Sequence, residues 1–454
     1  MKNSVKLVSI VLCFVMLIGI TSGCAGAKST PTGSNAASSS PATAAPGSST
    51  TAAKPLVINC LNSNNATTVY TITMEALAKK YAETHPGFEF KQEIIADGNA
   101  YLQKLKILAS SNTLTDWFFG DPDTFMLGLR EKGILTNLGD LIKELGVEDK
   151  LTTIAHNYHL FEDGTLYLLG LGANVEYFWY HPSIFKKVGV EPPKTFDDFF
   201  KVCDALKAQG IAPLACSKEG YYPLLRLTAM IPFRMTGNQF IDDARIGKTK
   251  FNSDVGMAAA IFTQKLGKYF QDGWAGVDIT GSMDYFLSGG TAMIYTSTSR
   301  ALQAFCTNQE LKDDIAFFPL PILSSNDATA ATDCWGNPGK GIAMLKSSMS
   351  DQMTDYVKFF ITNFGDVALE NKFFAGLKPS STEGFSDLFK KWYGDFNNIN
   401  TFAYCWDVRV DTSTCEVLKR EVVNLALGTI TPEEFAKRMD DAVAQYAPAA
   451  FNLK

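Results

Sequence analysis

The stretch that decides the fold is residues 176–215, which read EYFWYHPSIFKKVGVEPPKTFDDFFKVCDALKAQGIAPLA. The aromatic run that opens it, Val175 to His181, is short and has no helical spacing, so it predicts a buried β-strand. A short helix is predicted next and should end at Gly189, because the Pro192–Pro193 pair that follows cannot continue a helix.

A second helix is predicted after Thr195. Thr195 with Asp198 three residues later resembles a capping box, in which side chains satisfy the free N–H groups of a helix start. Gly210 is expected to end this helix. Its apolar stripe consists of Phe196, Phe199, Phe200, Val202, Cys203 and Leu206.

The alternation of strand and helix also occurs earlier in the chain. Leu56 to Leu61 and Phe88 to Ile95 are predicted strands, and the apolar spacing from Val69 to Tyr81 predicts a helix between them. Because a helix connects them, the two strands should be parallel. A turn at Asp163–Gly164 with a strand after it is also predicted. The chain is therefore assigned to the α/β class.

The composition limits the number of domains and the partners. At 454 residues the chain should form about two or three units of roughly 100–200 residues each. A formal net charge of −6 argues against a nucleic-acid partner, since phosphate binding uses clustered Lys and Arg. Aromatic residues make up 12% of the chain, and its Tyr and Trp side chains can serve as ligand platforms as well as core residues.

The chain begins with a leader pattern. Lys2 and Lys6 accompany an apolar run from Leu7 to Ile20, which is too short to span a bilayer comfortably, since that takes about 20 residues. Residues 1–23 are therefore predicted to be a signal peptide. Residues 21–24, Thr-Ser-Gly-Cys, resemble the lipobox of bacterial lipoproteins and predict a lipid on Cys24. Ordinary cleavage next to an incidental Cys is the alternative.

Residues 24–54 are predicted to form a tether. Apart from the Cys and a few other residues they consist of Ala, Ser, Thr, Gly and Pro, which cannot bury enough surface to offset their chain entropy. Such a segment would connect a lipid anchor in the outer face of the cell membrane to the folded body. A generic disordered terminus would have the same composition.

The nine cysteines are predicted to be mainly buried thiols. Cys13 lies in the leader and Cys24 at its end, so an odd number remains and at least one must be unpaired. Scattered Cys in apolar surroundings usually behave as small buried hydrophobic residues. Cys405 with Cys415 is the pair most compatible with a disulfide bridge, because the sequence between them could turn back.

Motifs for catalysis or metal binding are not found. The four His residues, at 85, 156, 159 and 181, have no acidic or Cys partner at metal spacing, and neither GxSxG nor HExxH occurs. Neighbouring acidic pairs such as Asp197–Asp198 are explained by helix capping and solvation. No cofactor, metal or enzymatic activity is therefore predicted.

Several motifs resemble extracellular solute-binding protein family 1 of ABC importers, the sugar-binding class. Tyr180–His181 stands where the family has Tyr-Asn, and residues 195–198 stand for its Thr-Trp-Asp-Glu helix start. Residues 286–293, FLSGGTAM, match the family pattern Phe-x-x-Gly-Lys-Ala-Ala-Met. Residues 428–434 match its Gly-x-x-Thr-Pro-Glu-Glu turn. The resemblance extends over nearly all of residues 56–446.

The resemblance implies a two-lobe, type II periplasmic-binding-protein-like fold with a hinge between the lobes. Residues 55–174 plus 320–376 would form the first lobe, and residues 175–319 plus 377–454 the second. It also implies a function: capture of a sugar or oligosaccharide by hinge closure and delivery to the membrane subunits of an ABC permease. The protein would act as an exported, lipid-anchored monomer.

The resemblance places ligand-binding residues of the first lobe at strand ends. Asn62 and Asn64 follow the first strand, and Asp121 ends a short strand at residues 116–121; by resemblance these ends face the cleft. Asn-rich turns are also common for conformational reasons, and Asp121 could instead cap a helix that begins near Thr124.

The second group of candidates lies later in the chain. The family's sugar-stacking Trp is replaced by the run Tyr295 to Ser299, so its role must pass to other residues. A Trp in a Gly-rich loop and a Tyr-x-Trp-Asp cluster offer flat faces and a carboxylate, although the cluster could equally be an aromatic core corner. Replacing either Trp by Ala is then expected to weaken binding without unfolding. These candidates are Tyr222, Ser297, Trp335, Asn337, Trp406 and Asp407.

Two other functions fit the same sequence. A secreted glycoside hydrolase would also be acidic and rich in aromatic residues, and would consume the sugar. A binder of a different ligand, such as ferric iron held by Tyr, His and carboxylate side chains, would be stabilised by metal instead of sugar.

Overall fold

The protein is represented by a computed structural model that describes residues 55–161, 163–218, 222–298, 314–371, 373–383, 387–451 and 453. Of residues 124, 222 and 408 only the backbone is described. The predicted signal peptide, Cys24 and tether lie outside the described residues and remain predictions. Within the described part, no helix combines the length and apolar character that crossing a bilayer requires.

Strands and helices alternate through most of the chain. The strands are β1 Val57–Asn62, β2 Glu89–Ile94, β3 Trp117–Gly120, β4 Asn174–Tyr180, β5 Ala212–Ala215, β6 Thr291–Ser297, β7 Ala316–Phe318, β8 Cys334–Asn337, β9 Gly341–Met344 and β10 Phe402–Ala403. The helices are α1 Val69–Ala82, α2 Gly98–Ser110, α3 Thr124–Glu131, α4 Leu138–Leu145, α5 Thr153–Asn157, α6 Pro182–Val188, α7 Phe196–Ala208, α8 Tyr222–Thr236, α9 Gln239–Ala244, α10 Asp254–Leu266, α11 Ile279–Leu287, α12 Asp351–Glu370, α13 Asp387–Phe396, α14 Trp406–Arg409, α15 Thr412–Ala426 and α16 Pro432–Ala450.

The first sheet has the strand order β2-β1-β3-β9. β1 is parallel to β2 and β3, as the predicted strand–helix–strand unit requires, and β9 is antiparallel to β3. Because β1 and β3 are parallel, Asn62 and Gly120 end at the same edge of the sheet. α1 and α12 cover this sheet with an aromatic core in which Trp117 and Phe360 meet edge to face at 5.1 Å.

The second sheet has the order β10-β8-β4-β6-β5, and β7 pairs with β4. β4 confirms the strand predicted at 175–181. Its alternate side chains enter two different cores: Tyr177 and Trp179 face one, and Phe178 faces the other. Burial on both faces explains why the sequence of this strand is uniformly aromatic instead of alternating with polar residues.

Helix ends in the decisive stretch follow the predicted turn chemistry. α6 ends at Gly189, whose φ of 76° is a left-handed conformation that favours glycine. The Thr195 hydroxyl accepts a hydrogen bond from the Asp198 N–H at 3.1 Å and caps α7. Near the carboxyl terminus, Thr431 and Glu434 form the complete capping box of α16.

One prediction is wrong, and one alternative that the sequence left open is excluded. The chain forms no strand directly after the Asp163–Gly164 turn. It pairs there one residue at a time, through isolated bridges at Leu166 and Leu169, and its leucines are buried in the first core. Cys405 and Cys415 form no disulfide. Every described cysteine of the body is a free buried thiol, as expected for small core residues; Cys306 lies outside the described residues.

The first core is joined to the region of the second sheet where glycines let chain segments approach closely. The chain leaves the first core at Leu171 and enters the second region by Ala173, and Gly172 between them forms a bridge with Ala375. A Cβ on Gly172 would lie 2.3 Å from the Tyr70 hydroxyl and 2.5 Å from the Pro338 carbonyl oxygen. A larger side chain at Gly172 would therefore not fit this junction. The predicted lobe boundaries, which place residues 320–376 with the first lobe, stay a prediction; 334–337 pairs within the second sheet.

Candidate functional site

Asp121 lies directly after β3, at the edge where parallel strands end. The helix that follows is capped by its neighbour Asp123, which accepts a hydrogen bond from the Met126 N–H at 2.9 Å. Asp121 itself is exposed, and its carboxylate accepts no hydrogen bond from another described residue. The capping role that the sequence left open therefore belongs to Asp123, and the Asp121 carboxylate remains available.

The surroundings of Asp121 are crowded although solvent reaches it. Loss of hydration raises the pKa of Asp121, the Lys340 ammonium opposes this rise, and Asp123 adds to it. Lys340 extends over the ring of Tyr101, with Nζ 5.0 Å from the ring centroid. The Asp121 carboxylate is thus accessible to a ligand and lies under the influence of one ammonium group and a second carboxylate.

The Asn-rich loop after β1 is held by its own side chains. Asn62 is fully buried and its Nδ2 donates to Thr71 Oγ1 at 3.0 Å and to Gln92 Oε1 at 2.8 Å. Its Oδ1 accepts from the N–H of Asn64 at 2.8 Å and from Asn64 Nδ2 at 3.0 Å. The conformational role of this turn is thus observed, while ligand contact stays a prediction, for which the partly buried Asn64 is the better placed residue.

On the second sheet, Arg226 of α8 organises a buried charge cluster. Its Nη1 donates to Asp407 Oδ1 at 2.8 Å, and its Nε lies 3.6 Å from Glu176 Oε1. The guanidinium lies 5.6 Å from the ring of Trp335, whose Nε1 donates to the Arg226 carbonyl at 3.1 Å. Burial opposes the charge of Arg226, but nearby Cys405, Glu176 and Asp407 outweigh it and hold its pKa above the usual range.

Asp407 is the outward end of this cluster. The side chains of Arg226 and Glu176 are each 6% exposed, whereas that of Asp407 is 29% exposed. Asp407 follows Trp406 at the start of the short helix α14. The arrangement fixes one carboxylate at the surface with a buried cation and a second buried carboxylate behind it.

The two tryptophan candidates are core residues in this structure. Trp335 is 1% exposed and lies near Phe233, with ring centroids 6.1 Å apart. Trp406 is 3% exposed and packs against Phe240 and Phe251 at 5.7 and 5.9 Å. The core-corner alternative describes these positions, and neither ring presents an open face. Sugar stacking by either residue stays a prediction.

The remaining candidates lie around the same edge. Ser297 is buried at the end of β6, opposite Glu176 in the strand register. Asn337 ends β8, and its Oδ1 accepts from the Gly339 N–H at 2.8 Å. The side chain of Tyr222, at the start of α8, lies outside the described residues.

Tyr158, which sequence analysis did not select, connects the two groups of carboxylates. It follows α5 and is partly buried. Burial is the main cause that raises the pKa of Tyr158, and Cys405, Asp121 and Asp407 raise it further while Arg226 opposes them. Charged groups of α8, α14 and the loop after β3 therefore influence the same phenol. The only sequence signal was an aromatic residue between two His.

We call the group of Asp121, Tyr158, Asn337, Lys340 and Asp407 the cleft site. It combines hydrogen-bond acceptors, a phenol and an amide, the groups that bind polar, hydroxyl-rich ligands. Among the described residues no group of three or more His, Cys, Asp or Glu side chains could hold a metal ion.

A shallow pocket elsewhere on the first lobe is a poorer candidate. It carries no carboxylate and so lacks the strongest acceptors for hydroxyl groups. Its lining residues are Ala109, Asn112, Leu114, Gly133, Ile134, Leu345, Lys346 and Ser347.

Comparison with known proteins identifies relatives of the chain. A family model described as bacterial extracellular solute-binding protein matches residues 67–363. An uncharacterized ABC transporter extracellular-binding protein of Pyrococcus horikoshii is 26% identical over 190 residues, which cover 39% of this chain and 41% of that protein. The match thus spans less than half of this curated relative.

Solved structures share the fold over most of its extent. A chitin oligosaccharide binding protein superposes with a TM-score of 0.68 at 22% identity, covering 87% of this chain and 99% of the other. A bacterial solute receptor described as having an exclusive preference for β-D-galactopyranose superposes with a TM-score of 0.72 at 14% identity, covering 88% and 98%. These similarities confirm the predicted α/β, two-lobe fold.

Proposed function

Because the chain belongs to the bacterial extracellular solute-binding protein family, we propose that it captures a carbohydrate outside the cell and delivers it to the permease of an ABC importer. In this proposal the protein is a receptor and not an enzyme, and it needs no cofactor. The proteins that the chain resembles support the proposal, since they include an ABC transporter extracellular-binding protein, a chitin oligosaccharide binding protein and a receptor for galactopyranose.

The observation that carries the proposal is the placement of Asp121 and Asp407. Asp121 follows β3 of the first sheet and Asp407 lies in α14, yet the charges of both raise the pKa of Tyr158. Ionised carboxylates accept strong hydrogen bonds from hydroxyl groups, so a sugar between them would join the two lobes. Closure about the glycine-packed junction at Gly172 and Gly376 would bring these groups onto the ligand.

The cleft site supplies the proposed direct contacts, with Asn64 beside it. Tyr222 and Ser297 are proposed at its margin. We assign Asn62, Trp335 and Trp406 to the layer behind the contacts, since all three are buried and hold neighbouring groups in place. Stacking of a sugar on either Trp would require a conformation that opens the second core.

The proposal includes export and a lipid anchor. Residues 1–23 would direct secretion, Cys24 would carry the lipid at the outer face of the cell membrane, and residues 25–54 would give a monomeric receptor reach towards the permease. The test is incorporation of labelled palmitate in cells that express the chain. Labelling that is lost in Cys24→Ala is expected, and labelling that persists in the variant contradicts the anchor.

The ligand is tested by thermal denaturation of the purified protein with a panel of mono- and oligosaccharides. A sugar at about one hundred times its dissociation constant should stabilise the fold by about 2.7 kcal/mol. Stabilisation by ferric iron and by no sugar would contradict the proposal.

Paired carboxylates are also what glycoside hydrolases use, so the sugar must be recovered after incubation. Recovery of the intact sugar supports a receptor. Consumption of the sugar supports the hydrolase alternative.

A further inference from the structure

We propose that the cleft site selects saccharides without negative charge and discriminates against uronic acids and sugar phosphates. This inference rests on the proposed carbohydrate-binding function and specifies its substrate class. It is drawn from the way in which the carboxylates and cations of the site are paired, buried and exposed.

The first lobe presents an acidic surface to a ligand. Asp121 is exposed and makes no hydrogen bond with another described residue, and Asp123 lies two residues away as a helix cap. Lys340 is partly buried over the Tyr101 ring and forms no ion pair with a described residue. Its charge acts on Asp121, so it offsets that carboxylate before it can attract an anionic ligand.

The second lobe also presents a carboxylate and keeps its cation behind it. Arg226 has a side chain exposed by only 6%, contacts Asp407 at 2.8 Å and lies 3.6 Å from Glu176. One guanidinium is thus shared between two carboxylates. Since Asp407 is the exposed member, a ligand meets the negative end of the cluster.

Among the described residues around the site, the carboxylates of Asp121, Asp123, Glu176 and Asp407 outnumber the cations of Arg226 and Lys340. A neutral saccharide can donate its hydroxyl protons to Asp121 and Asp407 without introducing a charge. An anionic saccharide would bring a like charge into a poorly hydrated space, which weakens binding strongly. Discrimination of this kind comes from repulsion and needs no additional contact to the neutral sugar.

The test compares neutral saccharides with charged derivatives of the same sugars by isothermal titration calorimetry on the purified protein. The pairs are galactose with galacturonate and with galactose 6-phosphate, cellobiose with cellobiouronate, and xylotriose with glucuronosyl-xylotriose. N,N′-diacetylchitobiose and its deacetylated form extend the series to a cationic ligand. For the pair whose neutral member binds, we expect the acidic member to bind roughly tenfold or more weakly, a factor that corresponds to about 1.4 kcal/mol.

A variant assigns the discrimination to charge at the site. Asp121→Asn keeps the shape of the side chain and removes one of the exposed carboxylates, so it should narrow the ratio between neutral and acidic members by roughly threefold or more. Glu75→Gln makes the same change of charge on the exposed face of α1 and should leave the ratio unchanged. The matched control separates a local effect from the effect of net charge.

The possible results are distinct. Equal or tighter binding of the acidic members overturns this inference and leaves the proposed function standing. No binding of any saccharide overturns both. A ratio that changes equally in Asp121→Asn and Glu75→Gln overturns the assignment to the cleft site.

Discussion

Asp121 follows β3 and Asp407 lies in α14; the two residues present the same chemical group, but their surroundings differ. Asp407 accepts a hydrogen bond from a buried arginine that also lies near Glu176 and Trp335, so its position is fixed by several side chains. Asp121 is exposed, has no such partner among the described residues, and is influenced by Lys340 and Asp123 only at longer range.

The difference predicts different roles for the two carboxylates in ligand binding. A carboxylate held in advance loses little freedom when a ligand binds, so in the proposed function Asp407 would orient the sugar. The exposed Asp121 carboxylate would instead adjust its orientation during the proposed closure. The cost of orienting Asp407 is a buried charge cluster, whose stability depends on every member being present.

The largest effect on stability is expected when the buried cation that contacts Asp407 is removed. Arg226→Met would leave Glu176 and Asp407 without their buried partner and should lower the free energy of unfolding by about 3–5 kcal/mol. Urea denaturation measures this change. Lys437→Met, which removes a surface ion pair with Asp441, is the control and should cost less than about 1 kcal/mol. Similar losses in the two variants would show that the cluster is not a structural unit.

A comparable effect is expected for the ring beneath the cluster. Trp335→Ala should destabilise the fold by about 3–5 kcal/mol, because it removes a fully buried aromatic side chain and its hydrogen bond to the Arg226 carbonyl. This expectation replaces the simpler one that the variant binds more weakly and stays equally stable. Unchanged stability with weaker binding would instead support direct sugar stacking by Trp335.

His159, a buried residue after α5, should make the free energy of unfolding depend on pH. Burial lowers its pKa to about 4, against an opposing hydrogen bond between Nε2 and the Gly339 carbonyl at 3.0 Å. The unfolded chain therefore binds more protons than the folded one between pH 4 and about 6.5, so stability should fall as the pH falls through this range, by about 3 kcal/mol in total.

Denaturation at several pH values tests the contribution of His159. His159→Gln should flatten the profile between pH 4 and 6.5, whereas His156→Gln, which changes an exposed His of the same segment, should not. An identical profile in wild type and His159→Gln would exclude this residue as the cause.

The smallest effect on stability is expected for a substitution of Asp121. Asp121→Asn should leave the fold equally stable or slightly more stable near neutral pH, because the pKa of Asp121 is raised in the folded state and its ionisation opposes folding. Sugar affinity should fall by about 1.5–3 kcal/mol through loss of a charged acceptor. Urea denaturation measures the change in stability, and calorimetry measures the change in affinity. A loss of stability as large as that of Arg226→Met would contradict the difference between the surroundings of Asp121 and Asp407.

The local structure of this protein could be predicted from short-range patterns. The strand at 174–180, the helix ends at Gly189 and Thr195, and the capping box at Thr431 depend on residues within a few positions of one another. The strand predicted after the turn at Asp163 does not form, because pairing there depends on partners such as Ile342 that lie far away in the chain.

The candidate site was only partly accessible in this way. Asp121 and Asp407 could be selected because strand ends and a Tyr-x-Trp-Asp cluster are visible in the sequence. Tyr158, Lys340 and Arg226 could not, since each acquires its role from residues tens or hundreds of positions away.

The sequence by itself determined the α/β class, the order of the elements and the family, because hydrophobic periodicity, capping residues and motifs are properties of contiguous residues. The tertiary structure decided which polar and aromatic side chains became core and which remained accessible. Trp335 and Trp406 read as platforms in the sequence but are buried by neighbours from other segments, while Asp121 remains exposed. Burial and charge pairing depend on the whole surrounding volume, and that volume exists only once the chain has folded.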